Sequence, residues 1–249
     1  MSALHVRWQT MVVDADTVVS QLEQLQSDSE LAKIRKRLGP DEAAIGIRMR
    51  DLFATARAHI DLDLREVDRL LDQPPYETRM AAMCILDFKA RRRLDEVERS
   101  ALADIYLRRH DRITTWDMVD RAAPRVLGGH LAGRSMAPLY DLAASREPLR
   151  RRSAVTAPLY FVITDDDDGV TAGFELAASL AADPEPVVHN AVGIFLKHAG
   201  SRDPEALHRF LETHAAAMPR PALRLATEKL DHAERARYRA AGVPASRVD

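Results

Sequence analysis

The stretch Leu180 to Ala191 reads LAADPEPVVHNA, and two earlier stretches share its layout. Leu70 to Ala81 reads LLDQPPYETRMA, and Ala143 to Ala154 reads AASREPLRRRSA. Each combines the end of an apolar helix, a Pro-containing turn after Asp or Ser, and the start of another helix with a small residue at a fixed offset. The chain therefore contains a repeated helix–turn–helix unit.

The spacing between these stretches gives the length of the repeat. Their alignment makes Arg79, Arg152 and His189 equivalent, and the steps between these residues are 73 and 37 positions. An intervening repeat should place its equivalent residue near positions 115–116, where Trp116 stands. Two helices in a period near 37 residues are typical of HEAT-like repeats. We therefore predict an all-α superhelix, or solenoid, with a concave and positively charged groove.

Apolar residues with helical spacing recur throughout the chain. The i, i+3, i+4 pattern predicts amphipathic helices at three places: Val18, Leu22 and Leu25; Val67, Leu70 and Leu71; and Leu207, Phe210 and Leu211. The run Leu159 to Ile163 has the composition of a strand, but it continues a helical pattern and is predicted to end a helix. The pair Gly128-Gly129 is predicted to interrupt the helical pattern.

Length and composition suit one folded domain. The chain has 249 residues, of which 46% are apolar and 5% aromatic. We predict a single solenoid domain over residues 1–249, with non-repeat ends at 1–16 and 240–249. The one cysteine, Cys84, excludes an internal disulfide and fits a reducing compartment. No signal-peptide pattern or membrane-length apolar run is visible, so we expect a cytoplasmic protein, and we expect a monomer.

Charge is distributed unevenly along the chain. The net charge is −2, yet residues 79–152 carry 16 Lys and Arg against 10 Asp and Glu. A local basic strip can hold a phosphate backbone even in a mildly acidic protein. Part of it, Arg91-Arg92-Arg93, is typical of a helix C-terminus, where cations are favoured. The histidines show no paired metal spacing, and we expect no metal site.

The repeat register brings candidate functional residues together. Equivalent residues of stacked repeats lie side by side, so Trp116, Arg152 and His189 should form a row on the inner face. Asp120 follows Trp116 by four residues and should share its helix face. An aromatic ring, a carboxylate and a guanidinium group are therefore expected to converge.

Five segments, taken in order, carry a resemblance to a known family. Gly46 to Leu52 (GIRMRDL) is similar to GVRxPDLR, and Thr114 to Gly128 (TTWDMVDRAAPRVLG) contains a match to NWDLVD. Three more segments match in the same order: Leu142 to Ala154 with "LA.S…ERRIA", Val187 to Lys197 (VVHNAVGIFLK) with VQKAVGWLLRE, and Met218 to Arg224 (MPRPALR) with MPRTALR. From about Ala44 to Tyr238 the chain thus resembles the AlkD-like DNA alkylation repair glycosylases, whose repeats are HEAT-like.

The resemblance implies an activity and a set of residues. Members excise purines that carry a cationic N3- or N7-alkyl group from duplex DNA, and they use no metal or redox cofactor. Asp120 corresponds to the catalytic carboxylate, Trp116 to the aromatic wall and Arg152 to a phosphate contact. Further DNA contacts are expected at four positions: Arg151, His189, Arg79 and Lys197.

One position departs from the family pattern. Its second active-site tryptophan corresponds to Ile194, and the neighbouring Phe195 is turned about 100° away along a helix. Three interpretations stay open: a glycosylase, which would release alkylated bases; a DNA-binding relative that does not cut; and a HEAT scaffold that binds protein through an apolar face.

Overall fold

The structure, a computed structural model, describes residues 13–241. The predicted non-repeat ends, 1–16 and 240–249, lie mostly outside these residues. The N-terminal segment, in which no signal-peptide pattern was expected, also lies outside them. The chain divides into two compact units, residues 1–85 and 86–249. The single solenoid domain over 1–249 stays a prediction.

The first unit is built from short helices. It contains α1 (Ala15–Glu23), α2 (Asp28–Ile34), α3 (Met49–Ala58), α4 (Leu64–Leu71) and most of α5 (Tyr76–Ala90). The segment before α3 is held by the fully buried Glu77 of α5, whose carboxylate accepts hydrogen bonds from the backbone N–H groups of Ile45 and Gly46. These charge-assisted bonds satisfy backbone donors that no helix pairs.

The second unit continues the helical pattern. After α5 the helices are α6 (Glu96–Arg108), a 3-10 turn (His110–Arg112), α7 (Trp116–Ala122), a π-helical segment (Ala123–Gly128), α8 (Gly129–Leu131), α9 (Ala137–Ala143), α10 (Pro148–Thr156), α11 (Leu159–Thr164), α12 (Asp167–Ser179), α13 (Pro186–Arg202), α14 (Pro204–His214), α15 (Arg220–Ala226) and α16 (His232–Ala241). No strand occurs between residues 13 and 241. The all-α class is therefore confirmed, and Leu159 to Ile163 lies in a helix as predicted.

Helices of the second unit stack in two layers. α10 packs between α7 and α13, and α13 packs in turn against α15. On the other side, α12 and α14 pack against α13 and against each other. Helices from successive repeats thus lie side by side, which is the arrangement that the 37-residue spacing predicted.

The quoted stretches are the turns between paired helices. Ala143 ends α9 and Pro148 opens α10, while Ser179 ends α12 and Pro186 opens α13. Proline suits a first helical position because its ring fixes φ near the helical value and its missing N–H would have no partner there. Asp183 completes the second turn, since its carboxylate accepts from the N–H of Glu185 at 2.9 Å.

The predicted break at Gly128-Gly129 is wrong. Gly128 ends the π-helical segment and Gly129 begins α8, and both are buried. A Cβ atom on Gly128 would overlap the carbonyl oxygen of Ala157 and lie 2.8 Å from the Cβ of Tyr160. The glycine is therefore required by a close approach of two backbones rather than by a turn.

Gly128→Ala should destabilise the protein by about 2 kcal/mol or more, because the new methyl group meets a backbone carbonyl that cannot swing aside. Gly39→Ala is the matched control, since a Cβ there would have nothing within 4 Å. Urea unfolding of both variants measures the effect. Equal free energies of unfolding for the two variants would contradict the packing described.

Candidate functional site

Helix α7 presents an aromatic ring and a carboxylate on one face. Trp116 is its first residue and Asp120 lies one turn later. The Trp116 residue is 48% exposed, although a tryptophan usually buries most of its surface. Thr115 donates a hydrogen bond to the Asp117 carboxylate at 2.6 Å, which holds Asp117 at the helix start, away from Asp120.

A two-bond ion pair joins α7 to α10. Arg152 Nε lies 2.9 Å from Asp120 Oδ1, and Arg152 Nη2 lies 2.7 Å from Asp120 Oδ2. Nη1 donates to the backbone carbonyl of Val187 at the start of α13. Arg152 is 2% exposed, whereas the Asp120 side chain is 32% exposed. The guanidinium group therefore holds the carboxylate in place and leaves part of it open to solvent.

Arg152 also meets the tryptophan. Its Cζ atom lies 5.6 Å from the centroid of the Trp116 ring, which is within the range of a cation–π contact. The structure thus brings Trp116, Asp120 and Arg152 together, as the repeat register predicted.

These three residues line one open pocket of about 490 Å³. The remaining lining comes from two helices, α13 with Pro186, Val187, Asn190 and Ile194, and α15 with Arg224 and Leu225. Ile194 therefore contributes an aliphatic wall at the position that the sequence resemblance aligns with a second tryptophan. Phe195 does not replace the aromatic wall, because it is fully buried against Phe174, with 5.6 Å between the ring centroids.

Arg224 is a site residue that the sequence reasoning did not single out. It is exposed and lines the pocket. It is the last residue of the matched segment MPRPALR, so a signal was present in the sequence. What the sequence lacked was the contact between α13 and α15, which turns Arg224 towards Trp116 and Asp120.

The other predicted DNA contacts lie away from the pocket lining. Arg151 forms a two-bond pair with Asp183, at 2.6 and 3.1 Å, and also donates to two backbone carbonyls. His189 Nε2 donates to the carbonyl of Asp183 at 2.6 Å. Lys197 pairs with Glu228 at 2.7 Å. In the first unit, Arg79 is buried and pairs with Glu42.

A buried polar network lies beside the ion pair. The Ser153 hydroxyl donates to the Leu149 carbonyl at 3.0 Å, so its oxygen accepts from the Tyr106 hydroxyl at 2.7 Å and from His110 Nε2 at 2.8 Å. Ser153 follows Arg152 in α10, so the network ties this part of α10 to α6 and the 3-10 turn. Burial lowers the pKa of His110 to about 4, with a further contribution from Arg150.

Among residues 13–241, no three His, Cys, Asp or Glu side chains are grouped so that they could hold a metal ion. Within the same part of the chain, none of the helices could span a lipid bilayer.

Comparisons with known proteins point in one direction. A family model described as "DNA alkylation repair enzyme" matches residues 18–230. Among solved structures, a predicted DNA alkylation repair enzyme from Enterococcus faecalis has a TM-score of 0.64 at 14% identity, covering 83% of this chain and 97% of that chain. That likeness shows the fold alone and confirms the helical-repeat class. No curated protein matches the chain.

The His110 environment predicts a loss of stability in mild acid. Below pH 6.5 the unfolded chain protonates this histidine, but the folded protein does so only near pH 4. The free energy of unfolding should therefore fall between these values, by about 3 kcal/mol at most, and level off below pH 4. Urea unfolding from pH 7 to pH 4 measures it. His110→Gln should remove this part of the dependence, and equal pH dependences for variant and wild type would contradict the assignment.

Proposed function

The chain belongs to the DNA alkylation repair enzyme family, and we propose that its Trp116–Asp120–Arg152 pocket hydrolyses the N-glycosidic bond of alkylated purines in duplex DNA. The observation that carries the proposal is the oriented and partly exposed Asp120 carboxylate beside an exposed tryptophan. The substrates would be purines made cationic by an N3- or N7-alkyl group.

The chemistry of such a substrate suits this pocket. A cationic purine is already a good leaving group, so the enzyme does not need to protonate it. As the C1′–N bond breaks, its electron pair returns to the base, which leaves neutral, and positive charge develops on the deoxyribose. A carboxylate beside C1′ stabilises this charge and orients the water whose oxygen bonds to C1′. The proton that this water loses passes to Asp120 or to solvent.

Trp116 supplies a second source of stabilisation. One part of its ring faces the Arg152 guanidinium, and the rest of the ring is exposed to solvent. The exposed part can pack on the sugar or on the cationic base, and a cation–π contact contributes about 0.5–2 kcal/mol. Where the ring packs on the sugar, this attraction grows in the transition state as the charge moves onto the sugar, so it favours the reaction; where it packs on the base, it favours binding only.

The two arginines of the pocket have different tasks. Arg152 spends its Nε–H, one Nη2–H and one Nη1–H on Asp120 and Val187, which leaves at most one N–H on each terminal nitrogen for a phosphate. Its first task is to position Asp120. Arg224, exposed at the same pocket, is the better candidate to anchor a flanking phosphate through charge-assisted hydrogen bonds.

A second function is favoured by one specific observation. Ile194 lines the pocket, and Phe195 is buried elsewhere, so the pocket has a single tryptophan wall. A protein with this pocket could bind duplex DNA without releasing a base. Such a binder would show salt-dependent affinity but no base release.

Asp120→Asn should lower base release by about 100-fold or more, because the neutral amide no longer stabilises positive charge on the sugar. The measurement is release of 7-methylguanine and 3-methyladenine from methylated duplex DNA under single-turnover conditions. Asp117→Asn makes the same change three residues away on α7 and should keep wild-type activity. No release by wild type at high enzyme concentration, or full release by Asp120→Asn, would reject the glycosylase.

Ile194→Trp should raise base release by roughly 2- to 30-fold, the range that corresponds to one cation–π contact. The pocket of about 490 Å³ has space for an indole ring at this wall. Ile194→Leu, which changes the shape but adds no π face, is the control and should leave the rate unchanged. An equal rate for the Trp and Leu variants would show that this wall does not face the reacting cation.

A further inference from the structure

One buried hydroxyl group beside the pocket joins three helical segments. Ser153 and Tyr106 are fully buried, and His110 is 3% exposed. The Ser153 hydroxyl accepts from the Tyr106 hydroxyl at 2.7 Å and from His110 Nε2 at 2.8 Å, and it donates to the Leu149 carbonyl at 3.0 Å. A serine hydroxyl has one donor and two acceptor positions, so all of them are in use. We call Tyr106, His110 and Ser153 the Ser153 network.

Both donors of the Ser153 network are neutral at neutral pH. Burial raises the pKa of the Tyr106 hydroxyl, the hydrogen bond with Ser153 lowers it by less, and the charges of Asp120 and Arg152 shift it in opposite directions. Tyr106 therefore keeps its proton, and it lies close enough to the ion pair to feel both charges. Burial also lowers the pKa of His110 to about 4, so its ring is uncharged.

Adjacent residues of α10 hold neighbouring parts of the chain. Ser153 is bonded to α6 and to the 3-10 turn, which lead directly into α7. Arg152, the preceding residue, holds Asp120 of α7 through bonds of 2.7 and 2.9 Å. Successive residues of a helix point about 100° apart. Two contacts in different directions fix both the position of α10 and its rotation about its own axis.

A small rotation of α10 is enough to disturb the ion pair. Side chains lie about 5–6 Å from a helix axis, so a rotation of about 10° displaces a group by about 1 Å. Such a displacement lengthens the bonds between Arg152 and Asp120 beyond hydrogen-bonding distance. Misplacing a reacting group by about 1 Å can lower a rate by about 100-fold.

We propose that Tyr106, His110 and Ser153 are positioning residues, which fix the rotation of α10 so that Arg152 aims the Asp120 carboxylate at the sugar of the substrate. The three residues act through Arg152 and do not themselves touch the substrate. This inference rests on the proposed function for the reaction, whereas the alignment of Arg152 can be tested without it.

Tyr106→Phe removes one hydroxyl group of the network and keeps the buried ring. The matched control is Tyr238→Phe, because Tyr238 is also buried and its hydroxyl is also bonded to a histidine, His208 Nδ1, at 2.9 Å. That pair joins α16 to α14 and lies outside the pocket lining. Since each variant loses one buried hydroxyl group, we expect similar decreases in the urea midpoint of unfolding.

The first readout is the rate at which the Arg152 Nε–H exchanges with water, measured by heteronuclear NMR and assigned from the loss of its signal in Arg152→Lys. In the wild type this group donates to Asp120 at 2.9 Å, so we expect slow exchange. Tyr106→Phe should speed the exchange by about tenfold or more through local opening of the pair. Tyr238→Phe should leave the rate as in the wild type, because a general loss of stability would act on both variants alike.

The second readout separates the reaction from binding. Tyr106→Phe should lower the single-turnover rate of base release from methylated duplex DNA by about 10- to 100-fold. Its affinity for an undamaged duplex should match that of the wild type, because the Ser153 network is buried and lies outside the pocket lining. If Tyr106→Phe fails to fold, His110→Phe removes the other donor and is tested by the same two readouts.

Each outcome decides the proposal. Unchanged Arg152 Nε–H exchange in Tyr106→Phe, or equal acceleration in Tyr238→Phe, overturns it and leaves the network with a structural role. An active Tyr106→Phe that releases base at the wild-type rate despite faster exchange also overturns it. Faster exchange in Tyr106→Phe alone, in a protein that releases no base, supports the positioning of Arg152 and rejects the glycosylase alone.

Discussion

The pair between Asp120 and Arg152 is the interaction on which the site depends. Arg152 is 2% exposed, and a guanidinium group so deeply buried needs a partner for its charge. The pair also joins α7 to α10, while the third nitrogen of Arg152 reaches the first turn of α13. Three successive helices of one layer therefore meet at a single side chain. The same contact leaves Trp116 and part of Asp120 at the surface, where a duplex can reach them.

The aliphatic wall at Ile194 reduces the number of groups that could stabilise positive charge in the pocket. In the proposed reaction, with Phe195 buried, positive charge in the pocket would be stabilised by one ring and one carboxylate. Asp120 would then supply most of the electrostatic stabilisation, and its orientation by Arg152 would matter more than in a pocket with two aromatic walls.

The sequence predicts the layer of paired helices because the repeated stretches carry turn chemistry that acts locally, such as Pro148 and Pro186 at helix starts. It also predicts the meeting of Trp116, Asp120 and Arg152, since equivalent positions of stacked repeats are neighbours. It does not predict the contact of α13 with α15, which brings Arg224 to the pocket. Nor does it predict that Gly128 lies inside a helical run, because that depends on how closely Ala157 approaches.

The central claim is that Asp120 and Trp116 stabilise positive charge at the sugar of a duplex. The most direct measurement compares the affinity for two duplexes, one with a cationic pyrrolidine in place of a deoxyribose and one with a neutral tetrahydrofuran. We predict that the wild type binds the cationic duplex about tenfold tighter or more, a difference of about 1.4 kcal/mol, and that Asp120→Asn loses this preference. Equal affinity of the wild type for the two duplexes would contradict the account.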